Sequence, residues 1–253
     1  MSAPTNRVGG LYGGNIRAVV ERGLKVMAGQ NWLVMVSGFF EPVLYLLAMG
    51  YGLGGLVGDV EGPGGRTVEY AAFIAPALLA TSAMNGAVYD STWNVFFKLR
   101  FAKLYQGMLQ TSLGPLDVAA GEIVLALIRG LLYALGFMGV MTAMGLVTSW
   151  WAVLMVPVAL LIALGFAALG MAVTSYLKSF QQMDLVQLVL LPMFLFSATL
   201  FPVEVFPTPI EWVVKALPLW HGVELMRHLA FGELTWAVAG HALYFLCLLY
   251  TSP

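Results

Sequence analysis

Charge is scarce in this sequence. Lys and Arg number 12 and Asp and Glu 13, so 10% of the 253 residues are charged, against roughly a quarter in soluble domains. A net charge of −1 leaves no concentrated basic surface, which argues against nucleic acid as a partner. The single cysteine, Cys247, excludes a disulfide framework and a cysteine-rich metal site. No GxxxxGK[ST] loop occurs, so the chain is not expected to bind ATP in that manner. His221, His228 and His241 share no metal-ligand spacing with Asp or Glu, and His221 with Glu224 is a lone pair three residues apart; neither a metal nor a catalytic set is expected. No compact apolar segment with a cleavage site precedes the first long apolar run, so insertion by the chain's own spans is expected.

What the sequence does hold is apolar side chain, 60% of it, more than a soluble core of this size hides. Lipid as solvent removes that difficulty. A span needs roughly 20 mostly apolar residues, and six segments qualify: Trp32–Leu56, Tyr70–Phe97, Val118–Val147, Trp151–Leu177, Met183–Phe201 and Leu234–Tyr250. The expected fold class is an all-α polytopic membrane protein. Residues 1–31 form a region ahead of the spans, and residues 32–253 one transmembrane domain.

The connections differ in kind. Gly58–Glu69 reads as a flexible polar loop. Pro202–Gly232 carries Pro202, Pro207, Pro209 and Pro218, too broken to span and too apolar for an ordinary loop. Lys and Arg cluster at Arg7, Arg17, Arg22, Lys25, Lys98, Arg100, Lys103 and Lys178, against Arg66, Lys215 and Arg227 on the other side. By the positive-inside rule both termini are expected in the cytoplasm. Thr251–Pro253 follow the sixth span at once and are set aside.

Two amphipathic pieces stand out. In Leu11–Ala28 the residues Leu11, Ile16, Val19, Val20, Leu24 and Met27 recur at helical spacing, as in a helix lying in the membrane interface. Lys98–Asp117 spends about twenty residues where a short turn suffices, and carries Leu99, Phe101, Leu104, Tyr105, Met108 and Leu109. A surface helix of this kind either docks another protein or only contacts lipid. Gly114-Pro115 ends it, and Asp117 is placed to cap the third span.

Ionisable residues inside a membrane need a partner or a watery site. Glu41 and Arg129 both lie roughly 15 Å deep by helical rise, so they are expected to pair or to share a polar cavity. Tyr45 lies one turn beyond Glu41; Asn85 and Tyr89 share a face of the second span, with Asp90 nearby. These groups either line a route for a polar head group or bind helices together.

The order of these parts resembles the type-2 ABC exporter permeases. The likeness is carried by FFEPVLYLLAMGYGLGG (39–55), YAAFIAPALLATSAMNGAVYDSTWNVFFKLR (70–100) and LPMFLFSATLFPVEVFPTPIEWVVKALPLWHGVELMR (191–227). These stretches are most similar to the lipo-oligosaccharide export (nodulation-protein-J) subgroup, and less so to daunorubicin-type drug permeases. The resemblance implies an amphiphile, such as a lipid-linked saccharide, another lipid or a hydrophobic drug, exported across the inner membrane, a second permease (a homodimer or a close paralogue), and a separate ATPase subunit holding ATP and Mg²⁺. It places the ATPase-coupling helix in Leu99–Leu113, through Leu99, Arg100, Leu104, Tyr105, Met108, Leu109 and Leu113. It implies short re-entrant helices in Phe201–Leu219, and a route lined by Glu41, Tyr45, Asn85, Tyr89, Phe194 and Phe196. The rival readings from the residues are an ion-coupled secondary transporter, against which no internal repeat is found, and a membrane-embedded enzyme, for which only Glu41 and Arg129 lie at one depth.

Overall fold

The computed structural model describes residues 7–8, 11–12, 15–29, 40–233 and 235–251. The start of the first expected span at Trp32, Leu234 at the start of the sixth, and residues 252–253 lie outside the described residues. The helices are α1 (Ile16–Ala28), α2 (Phe40–Val57), α3 (Tyr70–Phe101), α4 (Leu104–Leu109), α5 (Pro115–Ala143), α6 (Trp150–Tyr176), α7 (Phe180–Phe196), α8 (Thr208–Ala216), α9 (Pro218–Phe231) and α10 (Trp236–Thr251). Four of them, α2, α3, α5 and α6, are long and apolar enough to cross a membrane; α7 and α10 are shorter apolar helices.

The bundle is built around α3, which packs against α2, α5, α6 and α9. Its most apolar stretch is 83% buried, whereas that of α2 is only 11% buried. The reason is in the sequence: Ala71, Ala75, Ala77, Ala80, Ala83 and Ala87 line α3 and are all buried. Small side chains let helix backbones approach closely, which is how helices associate where lipid removes the hydrophobic drive. Close to its far end α3 widens into π-helical turns at Asp90–Asn94 and Phe97–Phe101. The hydroxyl of Thr174 on α6 donates to the Ser91 carbonyl at 3.0 Å, satisfying a backbone group there. Gly170 admits this contact, since a Cβ there would meet Ser91 Oγ at 2.0 Å.

α1 lies across the start of α5. The helix begins at Ile16, not Leu11, because Leu11–Tyr12 pairs with Arg7–Val8 as a two-residue antiparallel ladder. Asp117 is buried; its carboxylate accepts from the Gly114 N–H at 3.0 Å and from the Asn15 N–H at 2.9 Å, tying both helix starts together. Two glycines form the crossing. A Cβ on Gly23 would meet Leu125 Cδ1 at 2.1 Å, and one on Gly121 would meet Val19 Cβ at 2.7 Å. The leucine tip can swing away, but Val19 Cβ is fixed by its backbone. Gly121→Ala is therefore expected to cost about 1–3 kcal/mol, the usual range for overpacking. It should also release α1, read as faster tryptic cleavage at Arg22 and Lys25.

The segment expected to be a flexible loop is instead a hairpin. β3 (Asp59–Glu61) and β4 (Thr67–Glu69) pair antiparallel with Val60 opposite Val68, and both valines pack against the main core. Gly64 and Gly65, at φ +75° and +71°, supply the left-handed turn. The proline-broken stretch holds α8 and α9, each opening on a proline (Pro209 and Pro218) in the first turn, where the missing N–H has no helical partner to lose.

Candidate functional site

α2, α3 and α7 enclose a polar groove. Two adjoining cavities, of about 150 and 390 Å³, share Glu41, Asn85, Gly86, Gln187 and Leu190 in their walls. Towards the hairpin end lie Tyr45 and Phe194, edge to face at 6.1 Å. Towards the α4 end lie Tyr89, Trp93, Asp90, Arg129 and Tyr133. Tyr89 stacks on Trp93 at 6.4 Å, and Trp93 meets Phe180 edge to face at 5.2 Å. Of the route residues, Glu41, Tyr45, Asn85, Tyr89 and Phe194 come together here. Phe196 does not: it turns to Phe206, 6.2 Å away, on the segment leading to α8. Trp93, Tyr133 and Gln187 were not anticipated. Trp93 was findable, because Asn85, Tyr89 and Trp93 continue one helical row at four-residue spacing.

The expected Glu41–Arg129 pair does not form. Arg129 Nη1 instead donates to Asp90 Oδ1 at 2.6 Å, while Glu41 lines the same cavity. Glu41 and Arg129 do share this cavity, but α5 packs on α3, so the carboxylate on α3 reaches the guanidinium first. A second pair follows two turns along both helices: Lys98 Nζ donates to Glu122 Oε2 at 2.6 Å. Asn94, between Asp90 and Lys98, donates to Asp90 Oδ1 at 2.5 Å.

The segment expected to couple to an ATPase contains α4. Lys103, at φ +48°, turns the chain out of α3 into it. Tyr105 and Met108 are buried with Val95 and Val118, and Leu99, Leu104 and Leu113 pack against them. Arg100 Nη2 donates to the Leu177 carbonyl at 3.2 Å and ties α3 to the end of α6. Only Leu109 of the seven presents an apolar face outward, 45% exposed. Burial, followed by the neighbouring Glu122 carboxylate, pushes the Tyr105 hydroxyl well above the usual tyrosine range, so it stays a proton donor. Its hydroxyl lies beside the Glu122 carboxylate without closing a well-formed hydrogen bond to it.

The hairpin end holds a knot that counting basic residues does not suggest. Arg227 on α9 is 1% exposed. It donates to Glu224 Oε1 at 3.0 Å, to the Ala198 and Thr199 carbonyls at 2.5 and 3.1 Å, and to the Phe73 carbonyl at 3.4 Å; its guanidinium also sits 3.8 Å above the Phe73 ring. Ala198, at φ +53°, is in the chain reversal after α7. Nearby, His221 and His241 approach with their Nδ1 atoms 2.8 Å apart, a contact between α9 and α10 that sequence spacing does not suggest. Among the described residues no three metal-ligating side chains converge.

Comparison with known proteins gives a family match over residues 14–231 to the ABC-2 type transporters. The chain is similar to nodulation protein J of Rhizobium leguminosarum bv. viciae, 34% identical over 201 residues, which is 79% of this chain and 75% of that protein. It is similar to nodulation protein J of Rhizobium leguminosarum bv. trifolii, 35% identical over 76% of this chain and 72% of the other. Nodulation protein J of Rhizobium meliloti (strain 1021) is 33% identical over 79% of this chain and 74% of its own length.

Proposed function

Because the chain belongs to the ABC-2 type transporter family and is the membrane subunit of an ABC exporter, we propose that it moves an amphiphile with a saccharide head group out of the cytoplasm, driven by ATP that a separate subunit hydrolyses. ATP and Mg²⁺ are held by that subunit, and this chain supplies binding and movement without covalent chemistry. α2, α3, α5, α6, α7 and α10 serve as six spans of one domain in the inner membrane, with α4 and both termini on the cytoplasmic side. α8 and α9 serve as re-entrant helices near the outer face. A second permease faces the groove across α2 and α7, whose Leu44, Leu47, Leu188, Val189 and Leu191 are exposed apolar side chains.

The observation that carries this reading is the continuity of α3. One helix of 32 residues contributes Asn85 and Tyr89 to the groove and leads directly into α4. A push on α4 is thus delivered along α3 to the groove wall. The head-group class is supported by the groove's chemistry: aromatic rings beside carboxylate, amide and guanidinium groups offer stacking faces together with hydrogen bonds for hydroxyls. The sequence likeness to lipo-oligosaccharide exporters points the same way.

The test is reconstitution into phosphatidylethanolamine/phosphatidylglycerol vesicles with the co-expressed ATPase subunit and fluorescent hexadecyl maltotrioside as the cargo probe. Movement is expected only with both subunits and ATP. Equal movement by the purified chain alone would overturn the reading.

A further inference from the structure

Four buried or half-buried charges stand in two layers between α3 and α5. Asp90 and Lys98 lie eight residues apart on α3; Glu122 and Arg129 lie seven apart on α5, which runs the other way. The pairs Asp90–Arg129 and Lys98–Glu122 therefore stack along the helix contact, each closed at 2.6 Å. The deeper pair is part of the groove wall. The same pair also lines a crevice of about 120 Å³ on its other side, with Lys98, Leu104, Glu122 and Arg22. Beyond the shallower pair comes Tyr105 of α4, with its hydroxyl beside Glu122 but not in a well-formed hydrogen bond to it. The ladder thus begins in the groove and ends on α4.

Folding does not demand such a ladder. Buried ion pairs recover their desolvation poorly, and apolar replacement of both partners is often neutral or stabilising. In a membrane such charges mark function by default. The backbone beneath them is also poised: both π-helical turns of α3, Asp90–Asn94 and Phe97–Phe101, fall at the ladder. π-Turns recur at functional sites. Relaxing one to α-helix turns everything beyond it by roughly 100° per residue shifted, and Lys98 and α4 turn with it. The two layers hold the present register.

We propose that Asp90–Arg129 and Lys98–Glu122 are positioning residues that transmit the state of the groove to α4, with Tyr105 donating to Glu122 in the other state of the cycle. A head group that draws Arg129 from Asp90 releases the π-helical register. The end of α3 rotates, Glu122 is shared between Lys98 and Tyr105, and α4 changes its pose on the ATPase. This rests on the exporter reading above.

Two readouts separate the two ideas. In the assembled complex, in vesicles of the composition given above, ATPase rate is measured with and without hexadecyl maltotrioside. In a Cys247→Ser background, spin labels at Gln106→Cys and Ser175→Cys report the α4–α6 distance with and without a non-hydrolysable ATP analogue. The paired apolar variants Asp90→Leu/Arg129→Met and Lys98→Met/Glu122→Leu are expected to keep wild-type melting temperature, and Lys98→Met/Glu122→Leu, whose residues lie outside the groove wall, is also expected to keep the basal ATPase rate. They should lose at least threefold in probe-stimulated rate and lose the distance change. The swap Lys98→Glu/Glu122→Lys should restore at least half of both, which a merely structural role does not require. Tyr105→Phe should lose stimulation without a change in melting. Paired apolar variants that keep the nucleotide-dependent distance change overturn the ladder. A wild-type complex that shows the ladder-dependent distance change but no response to any glycolipid overturns the head-group reading and leaves the ladder standing.

Discussion

Arg227→Met is expected to destabilise the protein by about 3–5 kcal/mol, the range for removing one partner of a buried ion pair. The variant leaves the Glu224 carboxylate without its cation. It also strips the Ala198 and Thr199 carbonyls of the donor that reaches them from α9. Those carbonyls belong to the chain reversal after α7, where Ala198 holds a positive φ, so the knot fixes the exit of α7 against α3 and α9. Arg227→Lys should rescue little, since an ammonium cannot present the guanidinium fork to several acceptors at once. The pair Arg227→Met/Glu224→Leu should recover part of the loss, because it removes the stranded charge. Thermal melting in detergent reads all three. A single methionine variant that melts with the wild type would show the knot to be dispensable.

The second large effect separates support from display at α4. Tyr105→Ala empties a buried site among Val95, Met108 and Val118 and is expected to cost about 3–5 kcal/mol, as for other aromatic-to-alanine changes in cores. Leu109→Asp should leave stability unchanged, because the side chain is outside the cluster. It should weaken ATPase-subunit binding at least tenfold, or about 1.4 kcal/mol, since a charge would enter an apolar contact centre. Melting and subunit affinity are measured on both variants. Wild-type affinity in Leu109→Asp, with binding lost in a still-folded Tyr105→Ala, would reverse the assignment of the two faces. Amphipathicity in Lys98–Asp117 was visible as a pattern, but periodicity alone does not say which stripe meets the bundle. Tyr105 and Met108 lie three apart on one face, and that face turned inward because Val95 and Val118 offered it a surface.

The charged residues teach the same lesson at greater depth. Residue counting gives position along a helix, since each residue rises 1.5 Å, and Glu41 and Arg129 do share a cavity. It gives no rotation and no neighbour. Asp90 took Arg129 because α3 and α5 pack directly and α2 stands on the far side of the groove. Phe196 failed as a groove residue for a related reason: it occupies the end of α7, where the chain turns toward Phe206 and away from Phe194.

By itself, then, the sequence determined the solvent this chain needs, the position of its long apolar helices and the segment that breaks them. These follow from composition and from local rules of length, proline and glycine that act within a few residues. The tertiary structure alone decided the Asp90–Arg129 and Lys98–Glu122 ladder, the Arg227 knot and the outward face of α4. Each joins residues far apart in the chain, and which of them meet depends on how the alanine-lined α3 lets its neighbours rotate and close on it.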